Sequence, residues 1–175
     1  MYVLSIISFL MLGGFLLLAA MRFGVPAMVS DVYYQLQNCA GSEVIGDKEK
    51  RNYGWVFTAV MVVSAILMLI PLLDSGKGIQ FLAFLGCAGL MFVGAAPNYL
   101  DADAYSIHKT GALVAAAGCV SWCLSAYWVP TAVLLLIYLL LVSFSDEDGE
   151  YKPLWYIAEV EGFVDVFLTY WICAL

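Results

Sequence analysis

Residues Leu154–Leu175 read LWYIAEVEGFVDVFLTYWICAL. At 1.5 Å per residue the stretch reaches roughly 30 Å, the thickness of a bilayer's hydrocarbon core. Yet it carries Glu159, Glu161 and Asp165. An ionisable group near the bilayer centre costs roughly 2.5 kcal/mol or more, so such groups face a bundle interior or a wet cavity and tend to be functional. The stretch therefore requires other membrane helices around it.

The rest of the chain supplies them. Of its 175 residues, 64% are hydrophobic and only 12% charged, and the mean hydropathy is +0.93. A soluble domain is about half apolar and about a quarter charged, and a chain of this size could not bury so much apolar surface in water. The fold class expected is an all-α integral membrane protein, a single six-helix bundle. Its spans are Met1–Met21, Tyr53–Leu73, Ile79–Ala96, Ile107–Ala126, Tyr127–Ser143 and Leu154–Leu175. The first lacks the basic start of a signal peptide and reads as a retained helix.

The connections carry the polar residues. Phe23–Asn52 is the longest; it opens at Pro26, and Ser30 or Asp31 can cap a short helix over the VYYQLQN that follows. Asp47–Arg51 is a mixed-charge run, Asp74–Gly78 a tight turn, and Phe144–Pro153 an acidic loop. Trp128 and Pro130 mark a very short turn between the fourth and fifth spans. In the third span Ala83, Gly86, Cys87, Gly89 and Gly94 are small, and in the fourth Gly111, Ala115 and Cys119 form a small-residue stripe. Such faces let helices approach closely in lipid, and they could serve a partner helix. Membrane lipids are the other expected partners. The net charge of −7 offers no basic face for nucleic acid.

The first, third and fifth connections, with their flanks, hold Arg22, Lys48, Lys50, Arg51, Lys109 and Lys152; the other side holds only Lys77. That asymmetry favours those connections being cytoplasmic and both termini outside, in a membrane expected to be the bacterial inner membrane. It also gathers most of the ionisable residues in one leaflet, with His108 the only histidine.

Depth and face then sort the acids. Counted from Leu154, Glu159 lies about 7 Å in, Glu161 about 10 Å and Asp165 about 16 Å. Glu161 and Asp165 are four apart and share a face, whereas Glu159 points the other way. Three readings stay open for Glu161 and Asp165: structural pairing with a basic or tyrosine side chain, assembly with His108 around a metal ion or catalytic water, or proton or cation transport. The candidate catalytic set is His108, Glu161 and Asp165, with Ser30 and Asp31 as a weaker nucleophile pair. Should a metal be present, His108, Glu161 and Asp165 would hold it. The five cysteines, Cys39, Cys87, Cys119, Cys123 and Cys173, form no CxxC and read as small buried hydrophobes. No hydrolase elbow, zincin or phosphate-loop pattern occurs.

Several features resemble six-span proteins of the Frag/DRAM/Sfk type and a related bacterial family. They are the stretch from Pro26 to Ser30-Asp31, the Gly54-Trp55-x-Phe57 opening of the second span, and the His108-x-x-Gly111-Ala112 opening of the fourth. The resemblance implies a role in lipid-anchor remodelling or membrane lipid organisation, and draws attention to Ser30, Asp31 and His108. It also implies an outside location for the first connection, opposite to the Lys/Arg count. The functions expected are lipid binding, hydrolysis or transfer, with a small-solute or proton-coupled transporter and a non-catalytic scaffold as alternatives.

Overall fold

The computed structural model describes residues 1–37, 52–143 and 153–174. Cys39, the 47–51 charge run, most of the acidic 144–153 connection and Leu175 lie outside the described residues. All regular structure among the described residues is helical.

Helix α1 spans Tyr2–Phe23. Gly24 ends it at φ 85°, a conformation that favours glycine, while its N–H still bonds the Ala20 carbonyl. Pro26 follows and prevents the helix from resuming at once. A short helix, α2, covers Asp31–Gln37. Helix α3 spans Gly54–Asp74 and helix α4 Gln80–Ala95. The turn between them needs glycine twice, at Gly76 (φ 62°) and Gly78 (φ 61°). Gly78 has a second reason: a Cβ there would sit 2.8 Å from Ser125 Oγ.

Helix α5 runs over Ala102–Ser143 and is broken at Tyr127, where the backbone is extended (φ −163°, ψ 104°). The sequence marks this break with Trp128 and Pro130, but the first half begins a turn earlier than Ile107. Asp101 starts it, its carbonyl accepting from Tyr105 N–H at 2.9 Å. Helix α6 spans Leu154–Ala174.

Three of these helices, α1, α3 and α5, are long and apolar enough to cross a membrane; α4 is apolar but shorter. The three acids of α6 leave it short of that standard on composition.

From α2 onward neighbours in sequence pack side by side, α1 packs against α3, and α1 meets α6 to bring the first and last helices together. The contact between α4 and α5 is the most extensive. The small residues that the sequence offers to a partner helix meet one another here. A Cβ on Gly118 would lie 2.5 Å from Gly86 N, and one on Gly86 would lie 2.8 Å from Cys119 N. Those faces are occupied within the chain, because only missing side chains let two backbones come this close.

Small hydroxyls serve the other seams. Ser8 Oγ donates to the Ser64 carbonyl at 2.8 Å, tying α1 to α3, and Trp171 Nε1–H donates to Ser5 Oγ at 3.0 Å, tying α6 to α1. Trp122, wholly buried, donates its indole N–H to the Lys77 carbonyl at 3.1 Å. This anchors the broken end of α5 to the α3–α4 turn.

Candidate functional site

The residues between α1 and α2 fold back against the starts of α5 and α6. The first-turn N–H groups of a helix have no partner within it. In α6 one of them, Tyr156 N–H, bonds the Ala27 carbonyl at 3.0 Å. The helix returns the contact: Glu159 Oε2 accepts Val29 N–H at 2.5 Å. On the other side Asp31 Oδ2 accepts Met28 N–H at 3.0 Å, and Asp31 Oδ1 accepts the Tyr99 hydroxyl. Two carboxylates therefore hold the Met28–Asp31 backbone, that of Asp31 from within the segment and that of Glu159 from α6.

Ser30 is the residue so presented. It is 7% exposed, and its Oγ lies 2.9 Å from His108 Nε2; His108 is 8% exposed. The other ring nitrogen, Nδ1, lies 2.8 Å from the Ala96 carbonyl. A carbonyl can only accept, so Nδ1 carries the proton. In the neutral ring Nε2 is then the acceptor, and the Ser30 hydroxyl donates to it. Ala96 can serve because it follows the last turn of α4, where helix carbonyls lack intrahelical partners. Tyr99 packs on the imidazole, with ring centroids 5.2 Å apart.

A second ring of tyrosine and asparagine contacts braces this arrangement. Tyr34 hydroxyl donates to Asn98 Oδ1 at 3.0 Å and accepts Leu100 N–H at 2.8 Å. The Asn98 side-chain amide in turn donates to Asp101. The Tyr99 phenol is pushed above its ordinary pKa, first by burial and then by the bond to, and charge of, Asp31. It therefore stays protonated and keeps donating. Arg22 and Lys109 are both exposed and belong to no buried pair among the described residues; Lys109 Nζ lies over the Tyr105 ring, 5.6 Å from its centroid.

The structure divides the residues that the sequence groups together. Ser30, Asp31 and His108 do converge. Glu161 and Asp165 do not join His108. Asp165, 4% exposed, accepts the hydroxyls of Thr131 on α5 (2.8 Å) and Thr169 on its own helix (3.2 Å). Glu161 is half-buried on α6 and contributes nothing to the Ser30–His108 contacts. The proposed metal set of His108, Glu161 and Asp165 is therefore dispersed: among the described residues no three His, Cys, Asp or Glu side chains are grouped to hold an ion. The acid that does reach the site is Glu159. Face arithmetic on an isolated helix sets it aside, because that arithmetic cannot see the loop folding back onto it. Its place one turn into α6, about 7 Å from the helix start, is the signal that puts it within reach of a loop packed at that end.

No protein-family model, curated protein or solved structure matches the chain.

Proposed function

We propose that the chain crosses the bilayer six times and handles membrane lipids, with Ser30 and His108 as a nucleophile–base pair for acyl transfer from a lipid ester. The break at Tyr127 supports the count of six. Unbroken, the residues of α5 would extend about 63 Å, twice the hydrocarbon thickness. The observation that carries the catalytic reading is the fixed tautomer. With Nδ1–H committed to Ala96, the Nε2 lone pair faces the Ser30 hydroxyl at 2.9 Å, the relation by which a base activates a serine. As Oγ attacks an ester carbonyl, Nε2 takes the hydroxyl proton and then returns it to the departing alkoxide. The acyl group remains on Ser30 until water or another hydroxyl removes it. The Ala96 carbonyl holds the ring where a carboxylate holds it in other triads. The resemblance to Frag/DRAM/Sfk-type proteins at Ser30, Asp31 and His108 supports a lipid as the ester.

The test is turnover of glycerolipids with labelled acyl chains in liposomes containing the purified protein. Release or transfer of the label is expected, and is lost in Ser30→Ala and His108→Gln while both variants keep the unfolding temperature of the parent. Turnover that survives both substitutions would overturn the reading.

One observation favours a second reading. Asp165 is a buried carboxylate whose hydrogen-bond partners are hydroxyls rather than a cation, a form suited to carrying a proton. Proton flux into liposomes that Asp165→Asn abolishes and Ser30→Ala leaves intact would support it over the first.

A further inference from the structure

The seam between α1 and α6 is the loosest in the ring of helices. The two run antiparallel: Phe9 meets Phe167 edge to face with centroids 5.2 Å apart, and Tyr156 reaches back to the Leu16 carbonyl at 3.5 Å. Between those ties the helices part into a shallow groove. Its walls include Leu12, Gly13 and Leu16 on one side and Val160, Phe163 and Val164 on the other, with no polar surface. Gly13 leaves it open, since a Cβ there would meet nothing within 4 Å. The residues beside the groove on α1, Leu10, Leu17 and Leu18, are 61–67% exposed, as on a helix facing hydrocarbon.

Depth identifies the occupant. Trp155, 72% exposed at the start of α6, is the kind of side chain that sits at headgroup level. Val160 lies about 8 Å below it and Phe167 about 18 Å below it, the depth of the acyl chains of one leaflet, whose hydrocarbon is about 15 Å deep. An apolar cleft at that depth excludes water. At its upper end come Tyr156 and Glu159, the residues that hold Ala27 and Val29. Ser30 is the next residue. The headgroup–hydrocarbon boundary, where the ester bonds of a glycerolipid lie, is thus the level of the Ser30–His108 pair. We propose that the α1–α6 groove, about 40 Å³ in volume, seats a segment of one acyl chain of a bilayer glycerolipid, with the ester of that chain at the level of Ser30. This rests on the lipid-handling reading and names which part of the lipid is held, and where.

The experiment uses the whole protein in phosphatidylcholine vesicles containing a phosphatidylcholine with a diazirine in mid-chain. After illumination, crosslinks are mapped by peptide mass spectrometry. Labelling is expected to concentrate on the facing residues of α1 and α6, well above that of Leu135, Leu136 and Leu139, which are exposed on the second half of α5 and meet lipid only as annulus. Gly13→Phe, which fills the groove, should abolish that excess and leave the α5 labelling unchanged. Equal labelling of groove and α5 in the parent protein would overturn the proposal whatever the variant does. Ser30→Ala separates the two readings. It should keep the groove label while losing turnover, so a groove label without turnover in any form sinks the acyl-transfer reading alone. Turnover without a groove label sinks the seat alone.

Discussion

Ser30 Oγ stands 2.9 Å from His108 Nε2, and the ring cannot turn away because Nδ1–H is bonded to Ala96. Residues that act as a unit lose activity non-additively. Ser30→Ala and His108→Ala should each cost about 100-fold or more in lipid-ester turnover, and the double variant should be no worse than either alone. A serine-directed phosphonate probe should label Ser30 in the parent and fail to label it in His108→Ala. Additive losses in the double variant would show that the two side chains work separately.

Glu159 tests the clasp. Without it the buried Val29 N–H loses its partner, a cost of about 1–3 kcal/mol. Glu159→Ala should lower stability by that order and reduce turnover by misplacing Ser30. Glu159→Gln retains an acceptor and should recover most of the stability. Thermal unfolding in detergent, read beside turnover, checks both. A fully stable Glu159→Ala would mean that the loop is held by Asp31 and Ala27 alone.

The α4–α5 crossing gives a packing prediction. Gly86→Ala places a Cβ against Cys119 backbone, which cannot yield as a side-chain tip can. Overpacking of this kind costs about 1–3 kcal/mol. Gly13→Ala, with open space around it, should stay within about 0.5 kcal/mol of the parent. The pair is compared by unfolding temperature in one detergent.

Tyr99 gives an alkaline signature. Its pKa is raised in the folded protein, so its contribution is complete below the unfolded value of about 10 and is lost as pH rises towards the folded one. Stability should be flat from neutral pH to that point and then decline. Tyr99→Phe should remove the part of the slope due to this phenol, and the tyrosinate absorbance change at the highest pH should shrink in step. An unchanged slope would mean the phenol titrates alike in both states.

Much of this architecture is legible along the chain because it depends on local chemistry. Pro26 and Ser30-Asp31 announce a helix start, and the helix begins at Asp31. Trp128 and Pro130 announce a break, and Tyr127 is extended. Small residues four apart announce close packing, though not which helix they meet. Ser30 and His108 can be placed at one end of the bundle by counting connections, and they meet there. What stays hidden is whatever needs three dimensions. Glu159 and Tyr99 matter through a loop and a turn remote in sequence, and Glu161 resembles its neighbours in type while bonding to neither Ser30 nor His108. Helical periodicity tells which residues share a face, but the partner on that face comes from tertiary packing.

The bond between Trp171 and Ser5 joins residues at opposite ends of the chain. Its consequence is one of timing. Until the last helix is synthesised, α1 has no neighbour on that side, and the Ser5 hydroxyl can bond only within its own turn, to the Tyr2 carbonyl. Val29 N–H likewise waits for Glu159. The α1–α6 seam therefore closes only once α6 is made, and until then α1 is held to the growing bundle chiefly by its seam with α3, where Ser8 bonds the Ser64 carbonyl.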